Sequence, residues 1–465
     1  MDYDVLILGG GIVGCAVAYE LSKYSLNIAL IEKNYDIAED VALVNAAVVY
    51  NGMECEDSLT GKLELRGNNL IGEVTEKFNI PYKRCGSLTV ASNDKEVKII
   101  EELYQRANKR QIENIVMLDS KEVYEMEPNL NISVKKALYS SSMGVICPYD
   151  LAIAYGEVAF DNGVNFKLEE EVLDIQKITR GFRVETNKNK FTCKMVLNTT
   201  PGINYSIDNS EKEVIEENKA KLNYFILDKG YKGSFSNILF TFNENGNRTY
   251  AVPTVQGNSI VAMTTRENLD YTEALGSIDN LVSGVREKDV NTYYQIPFHS
   301  DPIIIDDSSV DKGYIKVTGK HYGEVTMTPY IAKIVCETIV SNLSCKLKKD
   351  FVDKRRDFYR FNQLSNEERN KIIKMDNKYG KMVCLCDKVT EGEIVDAIRR
   401  PLGARTVEGV KRRTGATLGN CQGSYCINKI ISILARETNK NVTDIVKDSK
   451  SAKMILSRIK EFDGV

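Results

Sequence analysis

The sequence predicts an α/β fold on a mostly parallel sheet, discontinuous along the chain, joined to an α+β region with an antiparallel sheet and closed by a small helical module at the C-terminus. Three observations predict it. An apolar run runs straight into a glycine-rich turn near the start, strand-like runs with no helices between them fill 223–305, and four cysteines fall in two close pairs between 384 and 426.

The first element is the run Val5, Leu6, Ile7, Leu8, which ends in Gly9-x-Gly11-x-x-Gly14 and is followed by a helix-like stretch over 15–23. A second apolar run, 27–31, delivers Glu32 and Lys33 about twenty residues further on, the layout of a Rossmann-type dinucleotide-binding βαβ unit. Gly9 allows the tight turn, Gly11 lets the backbone approach a pyrophosphate, and Gly14 lets the helix pack on the sheet. The helix N-terminus at Ile12 and Val13 offers amide groups and a positive dipole end, and Glu32 can accept hydrogen bonds from ribose hydroxyls. Glycines alone are a weak signal; strand, turn, helix, strand and acid in order are a strong one.

At 465 residues the chain needs two or three domains. Its net charge of −3 gives no reason to expect nucleic acid as a partner. No apolar run is long enough to span a bilayer, which leaves only peripheral membrane association open. The first strand follows Met1 so closely that no signal peptide is expected, and the expected compartment is the cytoplasm. Of the 11 cysteines, Cys15, Cys55, Cys85, Cys147, Cys193, Cys336 and Cys345 are scattered among apolar neighbours and read as small hydrophobes of the interior.

Continuing along the chain, Leu63, Leu70, Ile71, Val74 and Phe78 mark one face of a helix over 61–80. A strand at 87–91, a charged amphipathic helix over 96–110 and a short helix over 120–127 follow, so that 62–145 reads as an insertion into the nucleotide fold. A helix over 148–163 and strands at 164–166, 172–175 and 194–199 return to it. The runs 224–227, 238–242, 249–252 and 259–263 alternate with turns, as in an antiparallel wall. A strand at 314–318 and a helix over 328–343 end this part, and a charge-dense linker covers 346–380.

In the tail, Cys384-x-Cys386 and Cys421-x4-Cys426 suggest a metal site sooner than disulfides if the compartment is reducing. Thr390 and Glu393 have capping-box spacing before an apolar helix face, a second helix can start near Thr406, and a third runs on from Cys426. Four thiolates suit tetrahedral zinc or a [2Fe–2S] cluster, and spacing alone does not choose.

The motifs GGGIVGCAVAYELSKY at 9–24, KLELRGN at 62–68, GVICPYDLAIAYGEVAFDNGV at 144–164, GFRVETNK at 181–188 and PTVQGN at 253–258 together carry a resemblance. They are similar to the FAD-dependent oxidoreductases of the D-amino-acid oxidase and glycerol-3-phosphate dehydrogenase superfamily, in particular the anaerobic glycerol-3-phosphate dehydrogenase-like type. The tail, with RPLGARTVEGVKRRTGATLGNCQGSYC at 400–426, resembles the bacterioferritin-associated-ferredoxin type of [2Fe–2S] domain. The resemblance implies an FAD-binding domain at 1–61, 146–205 and 306–345, a substrate or cap domain at 62–145 and 206–305, the linker, a cluster domain at 381–440 and a tail at 441–465. It implies FAD held by the glycine loop and Glu32, with the backbone near Val172 and Thr199 also in contact, and Cys384, Cys386, Cys421 and Cys426 as cluster ligands. Arg405, Lys411, Arg412 and Arg413 would offset the cluster's negative charge.

Flavin and cluster in one chain imply a dehydrogenase that oxidises a small substrate, glycerol 3-phosphate or a 2-hydroxy or 2-amino acid, and passes electrons to a partner protein, a subunit or a quinone. The sequence also departs from the family. Tyr50 stands where a histidine is usual in the flavin-contacting stretch that begins at Glu39; 293–301 lacks the arginine that would anchor an anion; Glu324 falls near the expected flavin ring, and Pro201 replaces a glycine. Loss of that arginine removes a bidentate contact, and a carboxylate at 324 would disfavour an anionic reduced ring. The alternative is therefore a catalytically degenerate relay or scaffold subunit. Tyr50, His299 and His321 are candidates for proton transfer, each weighed against an ordinary hydrogen-bonded or surface role. Arg248 and Arg266 are candidate replacements for the lost anion contact.

Overall fold

The computed structural model describes residues 1–40, 46–208, 220–242, 248–279, 281–282 and 284–457. The segment 41–45, part of the expected flavin-contacting stretch, lies outside them. The chain divides into two units.

The first unit comprises Met1–Glu39, Ala152–Asn198 and the chain from Ser344 onward. Its sheet runs, in spatial order, Val172–Ile178, Gly181–Thr186, Lys190–Asn198, Tyr3–Leu8, Ile28–Ile31, Asn165–Lys167. The last four are parallel to one another and the first two join by antiparallel pairing. Val5, Leu6, Ile7 and Leu8 are fully buried, which is why this strand reads as an unbroken apolar run. The helix Ile12–Ser22 is buried at nearly every position, so it carries almost no amphipathic period.

The C-terminal part of this unit has its own core, with Val383, Ile394, Ile398, Val410, Ile430 and Leu434 at its centre. Glu391–Arg399 starts from Thr390 and Glu393, which form the expected capping box. Val407–Thr414 is capped by Thr406 and ends on Gly415 at φ +78, a left-handed position that favours glycine. Ile427–Thr438 follows directly on Cys426. The charge-dense stretch before these helices is itself built: Asn366–Met375 is a helix with a Ser365–Glu368 capping box, and Arg355 is buried against Glu157 at 2.6 Å.

The second unit comprises Asp40–Leu151 and Thr199–Leu343. Its sheet runs Val290–Pro297, Lys221–Leu227, Ser259–Thr265, Arg248–Pro253, Ile238–Phe242, Ser87–Ala91, Lys136–Ser140, Ile115–Leu118. All pairings are antiparallel except Ile238–Phe242 with Ser87–Ala91. Alternation sorts the side chains by face. Tyr224, Ala262, Tyr250 and Phe240 lie in register on one face, and Phe225, Val261, Ala251 and Leu239 on the other. The helix Ser58–Lys77 crosses Glu324–Leu343 at Gly67, where any Cβ would collide with the Thr326 carbonyl. The latter helix begins four residues before the expected 328 and carries Pro329 inside it.

Candidate functional site

At the glycine turn, Gly9 sits at φ +100, a conformation that favours glycine. Gly11 is the N-cap of Ile12–Ser22 and supplies no side-chain cap, and the first intrahelical bond runs from Cys15 N–H to the Gly11 carbonyl. The first-turn amides at Val13 and Gly14 thus precede the hydrogen-bonded ladder, the feature that suits an anion. Glu32 accepts from Gly10 N–H at 2.7 Å and Asn34 N–H at 2.8 Å, so its carboxylate braces the turn from behind. Lys33 is exposed, Val172 opens an edge strand of the same sheet, and Thr199 begins the second segment of the second unit.

The loop beyond Glu32 is tied to the C-terminal module. Arg413 donates to both oxygens of Asp36 at 2.6 and 2.8 Å, and Arg412 bridges Asp36 at 2.9 Å and Glu39 at 2.8 Å. Burial opposes ionisation of Asp36, but Arg413 and Arg412 outweigh it and hold the carboxyl below its usual range. Burial pushes Glu39 up to about 7 against the pull of Arg412.

Cys384 and Cys426 are buried, Cys421 half-buried and Cys386 exposed. Cys386 and Cys421 lie with sulfurs 3.5 Å apart, and Cys384 is in hydrogen-bonding reach of Cys426. The thiols thus form two pairs, and among the described residues no three His, Cys, Asp or Glu side chains gather as a site for one ion. Burial opposes ionisation of Cys421, but backbone N–H groups of Gly423, Tyr425 and Ser424 and the neighbouring Cys386 favour its thiolate.

The second unit holds a half-open cleft of about 60 Å³, lined by Tyr50, Tyr224, Tyr250, Phe298, His299, Lys320, His321 and Tyr322 among others. Ala262, between Tyr224 and Tyr250 in register, leaves room for their hydroxyls to hydrogen-bond. Tyr50 donates its N–H to Thr326 Oγ1 at 3.0 Å, its carbonyl accepts from Asn68, and its ring meets Tyr322 edge-on at 4.9 Å. Burial pushes the Tyr50 phenol well above its usual range, so it stays protonated. Burial pulls His321 down to about 4 against the opposing influence of Asp301 and Asp57, so its ring is neutral at pH 7. His299 is half-buried on the same cleft.

Arg248 forms a bidentate pair with Glu54 at 2.7 and 2.9 Å, deep against Phe240. Arg106 and Arg110 hold the loop carrying Glu54 by donating to its carbonyls. Arg248 is thereby committed, and Arg266 is exposed on a turn away from the lining residues. The cleft's cationic side chain is Lys320. Glu324 is buried, and burial together with the Asp40 charge raises its carboxyl to about 8. It is mostly neutral at pH 7, so the negative charge expected there is absent.

Tyr50, His299 and His321, each a separate candidate in the sequence, line one cleft. Glu54 and Glu64 were not among the candidate residues of the sequence. A signal existed for Glu64: it falls among Gly61, Asn68 and Ile71 on the buried face of its helix.

The model of the FAD-dependent oxidoreductase family matches residues 4–338. The chain belongs to that family. A second model, the BFD-like [2Fe–2S] binding domain, matches residues 382–436. A glycerol 3-phosphate dehydrogenase from Caloramator mitchellensis is 35% identical over 97% of both chains. A glycerol 3-phosphate oxidase from Mycoplasma pneumoniae is 27% identical over 57% of this chain and 72% of its own. The solved structure of the L-alpha-glycerophosphate oxidase from Mycoplasma pneumoniae with FAD bound superposes with a TM-score of 0.67 at 22% identity, over 77% of this chain and 99% of that one. The protein is an FAD-dependent oxidoreductase whose cofactors are FAD and a [2Fe–2S] cluster. Among the described residues no helix is long and apolar enough to cross a membrane.

Proposed function

We propose that the protein oxidises the alcohol of glycerol 3-phosphate, or of a 2-hydroxy acid of similar size, and passes the electrons through its cluster to an external protein, subunit or quinone. The observation that carries this reading is the 35% identity to a glycerol 3-phosphate dehydrogenase over 97% of both chains, which spans flavin region and cluster module alike. A 2-amino acid is the second substrate class, and the relay or scaffold reading is not favoured, since the identity to a dehydrogenase runs along the whole chain and one of the departures, the carboxylate at 324, is mostly neutral.

Within this reading, the turn Gly9 to Gly14 and the helix dipole would hold the FAD pyrophosphate, and Cys384, Cys386, Cys421 and Cys426 would ligate the cluster, which would supply one-electron transfer. Bound FAD supplies hydride acceptance and release of electrons one at a time. The cleft offers the substrate tyrosine and phenylalanine walls. Lys320 meets the phosphate or carboxylate as a point charge, in place of an arginine fork. His321, neutral and on the cleft wall, takes the hydroxyl proton as the C–H hydrogen leaves.

The test is anaerobic mixing of the holoenzyme with glycerol 3-phosphate. The flavin absorbance is expected to bleach, followed by reduction of the cluster in the same preparation. A flavin untouched by glycerol 3-phosphate, 2-hydroxy acids and 2-amino acids alike would sink the reading.

A further inference from the structure

Glu64, on the helix Ser58–Lys77, is 0% exposed, and among the described residues neither of its carboxyl oxygens has a hydrogen-bond partner. Buried polar groups are nearly always satisfied, so an orphaned carboxyl calls for a reason. Its Oε1 lies 3.7 Å from His321 Nδ1. The space it occupies exists because residue 323 is glycine: a Cβ there would collide with Oε1. Gly323 also donates its N–H to His321 Nδ1 at 3.0 Å. Nδ1 is therefore an acceptor, the neutral ring carries its hydrogen on Nε2, and Nε2 is the nitrogen left for the cleft that His321 lines.

We propose that Glu64 is a positioning residue for His321 and holds the proton that the substrate loses: His321 Nε2 takes the hydroxyl proton and its Nδ1 hydrogen passes to Glu64. This rests on the alcohol-oxidation reading above. The atoms balance. The substrate's C–H hydrogen leaves with its electron pair to the flavin, the O–H proton bonds to Nε2, the Nδ1–H bond breaks as a Glu64 O–H bond forms, and the substrate carbon becomes a carbonyl. The pair thus has two arrangements, carboxylate with Nδ1–H, which accepts a proton, and carboxylic acid with Nε2–H, which has accepted one. The Gly323 N–H bond to Nδ1 fits the second, and the first requires Gly323 N–H to give up Nδ1.

Surrounding charges make that arrangement the resting one at neutral pH. Burial first, then the Glu54 carboxylate, raise Glu64 to about 8, opposed by Arg110. Tyr50, Tyr322 and Cys55 also face Glu64, and burial raises all three, so they stay protonated. Asp57 and Asp301 face His321 and favour its protonation, against the larger effect of burial. The proton-accepting arrangement therefore grows as pH rises through about 8.

The chain has 2 histidines, which makes a direct test possible. In the holoenzyme labelled with nitrogen-15 at histidine, and assigned with His299→Asn, His321 should change from the Nε2–H to the Nδ1–H tautomer as pH is raised from 6 to 9. Glu64→Gln should hold one tautomer throughout. In parallel, flavin reduction by glycerol 3-phosphate should speed up about tenfold per pH unit below the pair's pKa in the native enzyme, and be flat with pH in Glu64→Gln. Glu64→Asp, which keeps a carboxyl, should retain a tautomer change with a displaced midpoint, which a packing role does not predict. A His321 tautomer insensitive to pH, or one that titrates identically in Glu64→Gln, would overturn the proposal. If no substrate bleaches the flavin, the function reading fails by itself, and the tautomer titration still decides the pairing.

Discussion

Glu324 carries a different charge from the one its letter implies. A glutamate at that place reads as an anion, yet burial leaves its carboxyl near 8. Its folded value lies above the ordinary 4.5, so the stability its neutral form permits is full below about 4.5 and is lost as pH rises through 8. Glu324→Gln should therefore flatten the fall in melting temperature between pH 5 and 8.5 by a few degrees, as read by calorimetry of the holoenzyme. An unchanged slope would show that the side chain is ionised. Arg248 makes the complementary point: an arginine that reads as a candidate anion contact is already paired with Glu54. Arg248→Met strands that buried carboxylate and should cost about 3–5 kcal/mol. Adding Glu54→Leu should recover most of it, which denaturant titration of both variants would measure.

Among the elements, the glycine turn and the helix Val407–Thr414 matter most. Gly9 is held at φ +100, so Gly9→Ala strains the turn and should lower the flavin content of the purified protein, measured by absorbance, while the cluster signal persists. The helix Val407–Thr414 plants Arg412 and Arg413 on Asp36, a few residues beyond Glu32. Their basic run reads in the sequence as charge compensation for the cluster; the structure gives these two arginines carboxylate partners inside the first unit instead. Asp36→Asn removes the charge that both guanidinium groups surround and should cost about 3–5 kcal/mol, with loss of flavin alongside, seen as an early unfolding step in denaturant. Cys421→Ser, by contrast, should abolish the cluster signal and leave the flavin bound, and an unchanged iron content would remove Cys421 from the ligand set.

Across the whole molecule, the elements with strong local signals were legible from the sequence. The strand–glycine–helix–strand order, the capping box at Thr390, the short helix over 120–127, the antiparallel runs between 224 and 263 and the cysteine pairs all depend on neighbours close in the chain, and their boundaries shift by only a few residues. The extra helix Asn366–Met375 was hidden because its apolar face is thin: Ile372 is its buried residue. Burial and charge state were not legible. Tyr50, His299 and His321 share a cleft because residues far apart in sequence converge on one end of the sheet face that carries Tyr224 and Tyr250. Local periodicity, turn chemistry and ligand spacing are properties of a short stretch of chain, so the sequence by itself determined the nucleotide turn, the cluster module and the family. Whether a carboxyl such as Glu64 is an anion, an acid or half of a proton-sharing pair depends on the dielectric and the partners that distant segments bring to it, and only the tertiary structure decided that.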